Sequence, residues 1–150
     1  MLSKTLQNLE SALAGESMAH IKYRYFARIA RAEGFEDIAK HFEHTADQEI
    51  KHAWGHLELL IGKPSTEQCL EKAIEGETYE FTEMYPKFHQ EAIAEGDLAA
   101  AEEAKEQLLE SRKHAKEFIE ILELAERRFE ALKKVEQRHA NAFKRVQEGM

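Results

Sequence analysis

The chain has 150 residues, of which 33% are charged and 43% hydrophobic, and 29 acidic side chains against 21 basic ones give a net charge of −8. That length suits a single domain with its own core, and the acidic balance argues against nucleic acid or an anionic membrane as the main partner. No apolar run approaches the roughly 20 residues of a membrane span, no signal-peptide core opens the chain, and one cysteine, Cys69, excludes an internal disulfide or a Cys-x-x-Cys metal site.

A protein of the reducing cytoplasm is therefore expected, and its richness in Ala, Glu, Lys and Leu with few Gly and Pro predicts helices. Three breaks divide the sequence: Glu33-Gly34, the loop Gly62-Lys63-Pro64-Ser65, and Glu95-Gly96-Asp97. They leave four helical segments, about 2–33, 35–61, 66–95 and 97–147, with Ser65 and Gln68 forming a capping box at the start of the third. Each segment repeats with a period near 3.6. The first stripe runs from Leu2 through Leu9, Glu16, His20 and Tyr23, and the second through Phe42, Glu49, His52 and His56. The third carries Leu70, Glu77, Glu80 and Met84, and the end of the fourth Phe129, Leu132, Glu136, His139, Phe143 and Val146. Such segments joined by short turns predict an all-α, antiparallel four-helix bundle.

The fourth segment is too long for such a bundle, at about 75 Å as one helix. Its stretch "FEALKKVEQRHA" (129–140) matches "FEHTADQEIKHA" (42–53) at Phe, Glu, Glu, His and Ala. Residues 102–126 therefore read as a helical insertion, with the projecting half pairing with another subunit in a homodimer, helix-swapped in one version.

In all four segments the polar residues that interrupt the apolar stripe are of the same types. Glu16 stands on the first, Glu49-x-x-His52 on the second, Glu77 and Glu80 on the third, Glu136-x-x-His139 on the fourth. Residues three apart share a helix face, so each pair can reach one ion. Buried carboxylates demand positive charge opposite them. Five carboxylates and two imidazoles facing inward make a two-metal site, the arrangement of ferritin-like di-iron proteins. Oxygen-rich ligation with imidazole and no thiolate suits iron, with manganese as the other choice, and disfavours structural zinc.

Glu16, Glu49-x-x-His52, "EGETYEFTEMYP" (75–86) and Glu136-x-x-His139 together resemble the rubrerythrins. The resemblance implies a ferritin-like fold over residues 1–101 and 127–147, with Glu49 and Glu136 bridging two irons and Glu16 and Glu77 as terminal ligands. It further implies His139 on one iron, and Glu80 and His52 alternating on the other with redox state. Tyr23 and Tyr85 match family tyrosines that donate hydrogen bonds beside the site. The implied activity is two-electron reduction of hydrogen peroxide to water. Rubrerythrins commonly carry a rubredoxin domain whose iron is held by four cysteines. With Cys69 alone in these residues, electrons are expected from a separate rubredoxin-like donor protein.

Two other functions fit the same ligands: ferritin-like iron oxidation and storage, or an iron or manganese oxidase. A plain bundle with surface Glu–His pairs leaves carboxylates on four apolar stripes unexplained. A second register also stays open. Glu110 and His114 stand four apart, and Gly96 to His114 repeats the Gly34 to His52 distance, with Ser111 where a glutamate would be needed. In that register residues 97–124 form the packing helix and 125–147 an appendage.

Overall fold

A computed structural model describes residues 3–148, and Leu2 of the first stripe lies outside them. All regular structure among the described residues is helical: α1 (Lys4–Ala32), α2 (Glu36–Ile61), α3 (Thr66–Tyr79), a π-helical turn (Glu80–Met84), α4 (Tyr85–Glu95) and α5 (Leu98–Gln147). The all-α expectation holds, and the element ends fall within about two residues of the sequence breaks. Where the sequence suggests one domain, the chain divides into two compact units, residues 1–63 and 64–150.

The first unit is the hairpin of α1 and α2. Gly34 turns the chain with φ +88°, a left-handed conformation that a side chain would strain. Alanines at 27, 30, 39, 46 and 53 are buried along the contact, so the two backbones approach closely. Phe42 packs against the Ala27, Ala30 and Ala39 group. On the rim, Arg31 clasps Glu43 at 2.9 Å and Glu36 at 3.0 Å, and Arg24 pairs with Asp47.

In the second unit α3, the π turn and α4 run antiparallel to α5. Ser65 and Gln68 form the capping box that starts α3, and Gly96, with φ +77°, ends α4. Pro86 explains the π turn. It has no N–H to donate, and its ring would collide with the Thr82 carbonyl one turn back. Widening the helix relieves that clash, and the Tyr85 N–H reaches the Glu80 carbonyl instead. The Thr82 hydroxyl also donates to the Thr78 carbonyl at 2.6 Å.

Helix α5 is one element of 50 residues, about 75 Å long. Its inner positions alternate three and four apart, beginning with Ala101, Ala104, Leu108, Ser111, Ala115 and Phe118. That is a heptad spacing, which keeps one seam facing a partner helix. Ala101, Ala104, Ser111 and Ala115 are buried, Leu122, Ala125 and Phe129 are half-buried, and Leu132 onward is exposed. The reading of 102–126 as an insertion is thereby corrected. Those residues supply the packed face, and 132–147 project past the start of α3.

Candidate metal centre

In the first unit, Glu16 of α1 and Glu49 and His52 of α2 converge. Their oxygen and nitrogen ligand atoms all lie within 4.8 Å of one another. His52 Nδ1 is 3.7 Å from Glu16 Oε2 and 3.7 Å from Glu49 Oε2. The sequence places them there because Glu16 and Glu49 lie on facing stripes, with His52 one turn beyond Glu49. Both carboxylates are half-buried. Hydrogen bonding between the two carboxyl groups raises the pKa of Glu49 and lowers that of Glu16. His20, one turn from Glu16, donates from Nδ1 to the Ala46 carbonyl at 2.7 Å, which leaves Nε2 unprotonated in the neutral ring.

In the second unit, Glu77 and Glu80 face α5. Ser111, itself buried, donates to Glu80 Oε2 at 2.8 Å. His114 Nδ1 is 3.5 Å from Glu77 Oε2. That Glu77 oxygen is buried without a hydrogen-bond partner, and an unsatisfied buried acceptor costs roughly 1–3 kcal/mol. The pocket beside it is lined by Glu77, His114, Glu117, Phe118 and Ile121. Glu110 stands one turn before His114 on the same face of α5.

Glu136 and His139 do not join Glu77 and Glu80 in this unit. They are exposed on the projecting part of α5. Residue 136 lies 22 positions beyond His114 on one continuous helix, about 33 Å away. The register with His114 is the one the second unit adopts. The "FEALKKVEQRHA" match misled because Glu136 and His139 occupy seam positions of the heptad, which mimic an inward-facing stripe. His114 sits one residue before the buried seam position Ala115, so a search along the stripe passes it by. The four-residue spacing of Glu110 and His114 is the signal that finds it.

The two expected tyrosines sit in aromatic settings. Tyr23 stacks on Phe42 with centroids 6.1 Å apart, and Tyr85 meets Phe88 edge-on at 6.1 Å. Burial, followed by the charge of Glu80, pushes the Tyr85 hydroxyl above its ordinary pKa.

These residues fit metal ions. Each unit offers hard oxygen donors with an imidazole, and the Glu77 oxygen near His114 is buried without a hydrogen-bond partner. No helix among the described residues is long and apolar enough to cross a membrane.

Comparison with known proteins gives three kinds of match. The family model described as Rubrerythrin matches residues 7–147. Nigerythrin of Nitratidesulfovibrio vulgaris is 35% identical over 132 residues, covering 79% of this chain and 65% of that protein. Rubrerythrin of Porphyromonas gingivalis is 35% identical over 133 residues, covering 80% of this chain and 66% of that protein. The chain thus spans just under two thirds of the length of these curated relatives. A solved nigerythrin, described as fully reduced and all ferrous, is 33% identical, covers 82% of this chain and 68% of its own, and has a TM-score of 0.40.

Proposed function

The chain belongs to the rubrerythrin family, and on that premise we propose that it is a non-haem di-iron peroxidase, reducing hydrogen peroxide to water with electrons from a separate donor protein. The all-α, ferritin-like class expected from the sequence agrees with this membership. The observation that carries the proposal is the buried, unpartnered Glu77 oxygen facing His114. A carboxylate so placed needs a cation. Iron, rather than manganese, is the metal the family supports.

Glu16, Glu49 and His52 would be ligands in the first unit, and Glu77, Glu80 and His114, with Glu110 within a turn of His114, in the second. Two ferrous ions would supply one electron each, which with two protons takes hydrogen peroxide to two molecules of water. The chain's own side chains do the rest. Glu49, whose pKa hydrogen bonding with Glu16 raises, would bind a cation as the carboxylate. Ser111 holds Glu80 by its hydroxyl and so fixes where that carboxylate points. Tyr85 stays protonated because burial and Glu80 raise its pKa, so its hydroxyl can donate to a departing oxygen. Tyr23, braced by Phe42 and Phe26, would serve as a second donor.

The test is anaerobic stopped-flow mixing of iron-loaded, reduced protein with peroxide or with oxygen. Peroxide should oxidise the iron much faster, at two irons per chain. Faster reaction with oxygen, or loading of many irons per chain, would replace the proposal with an oxidase or a ferritin-like store.

A further inference from the structure

Helix α5 carries, in reverse order, the arrangement that gathers ligands in the first unit. There Glu49-x-x-His52 on one helix faces a single glutamate, Glu16, on the other. In the second unit His114-x-x-Glu117 on α5 meets Glu77 of α3, with the spacing of three kept and the two residue types exchanged. Residues three apart share a helix face in either order. Glu117 lines the same cavity as Glu77 and His114, a space of about 300 Å³.

An ion in that cavity would be short of carboxylate. Glu80 is engaged by the Ser111 hydroxyl at 2.8 Å, which leaves the buried Glu77 oxygen and the His114 ring. A divalent cation held by one carboxylate and a neutral imidazole keeps a positive charge out of full contact with water, and that is costly. A hard cation calls for a further oxygen donor. On the reading that this centre holds iron, we propose that Glu117 is that donor, a further metal ligand of the second unit.

Side-chain direction decides between Glu117 and Glu110, which both stand within a turn of His114. Cα–Cβ bonds in an α-helix tilt toward its N-terminus, so a side chain covers the turn before its own. Glu117 therefore leans back over His114, whereas Glu110 leans away from it. The lean is visible in the contact of Glu117 Oε1 with Lys113 Nζ, four residues earlier, at 3.7 Å. Glu110 is not among the residues that line the cavity. The pair with Lys113 is no obstacle. Its two side chains are 73% and 52% exposed, and an ion pair so placed is weak enough to give way to a metal ion.

The test is anaerobic equilibrium dialysis of the full chain against ferrous iron, with the metal counted by elemental analysis. Glu117→Gln keeps the shape and removes the charge. It should weaken binding of one of the two irons about tenfold or more, with the metal-free melting temperature unchanged because the side chain is exposed. Glu120→Gln removes the same charge one turn along α5 and should bind as the parent does, which separates ligation from the general pull of an acidic surface. Glu110→Gln should lose less than Glu117→Gln. Cobalt(II) gives a second readout, since its visible absorption follows its ligand set. That spectrum should change in Glu117→Gln and stay the same in Glu120→Gln. Parent-like iron binding or an unchanged cobalt spectrum in Glu117→Gln, an equal loss in Glu120→Gln, or a larger loss in Glu110→Gln would each overturn the assignment and leave the iron reading intact. A parent chain that takes up no iron would overturn that reading, and the assignment with it.

Discussion

Both units carry two carboxylates and an imidazole, yet they hold those charges by different means. In the first, hydrogen bonding between Glu16 and Glu49 splits their pKa values, lowering the one and raising the other, and His52 stands beside both at 3.7 Å. In the second, a hydroxyl restrains Glu80 while Glu77 keeps a buried oxygen with no hydrogen bond, His114 standing 3.5 Å away. The first cluster pairs its carboxyl groups with each other, whereas the second leaves a buried Glu77 oxygen without a hydrogen bond, which carries the larger penalty.

The most severe way to break this comparison is to remove an imidazole. His114→Ala should lower iron affinity on the order of a hundredfold, as loss of a metal ligand or its close support does, whereas His139→Ala should leave it where it was. Metal titration followed by elemental analysis decides, and the reverse outcome would reinstate His139 as the ligand. Next comes Glu77→Gln. It removes the charge but keeps the shape, so the metal-free protein should melt at the same or a higher temperature while iron binding is lost. A drop in metal-free melting temperature would show that Glu77 already has a partner.

Ser111→Ala tests the restraint in the second unit. Losing the hydroxyl should cost about 1 kcal/mol, read as a melting-point drop of about 2–4 °C. The smallest effect belongs to the clasp of the first unit. Hydrogen bonding from Arg31 lowers the Glu43 pKa, so its contribution is complete above the ordinary value of 4.5 and disappears as pH falls through the lower folded value. Glu43→Gln should therefore reduce the melting temperature at neutral pH by about 2 °C or less, with the difference from the parent protein vanishing in acid.

Much of this was legible beforehand, and the exceptions have physical causes. The glycine breaks and the capping box set the helix ends, because φ above zero and an orphan N–H each demand particular residues. Glu16, Glu49 and His52 were found because facing stripes of one hairpin need only local register. The π turn went unseen, although Pro86 announced it, because a period of 3.6 has no place for one extra residue. The register of α5 was harder still. A helix with a continuous heptad offers several equivalent turns to its neighbour, and only packing against α3 chooses among them. Small residues at Ala101, Ala104, Ser111 and Ala115 made that choice by admitting close contact, while the bulkier Phe129, Leu132 and Phe143 suit a more open one.

The widened turn at Glu80–Met84 has one more implication. A π turn is equivalent to a single added residue, and it rotates everything after it by about 100° around the helix axis. Tyr85 and Phe88 therefore take their direction from an insertion upstream as much as from their own positions. Deleting one residue there would leave every glutamate of α3 in place and swing the tyrosine away, which offers a means to separate binding of the ions from delivery of the proton.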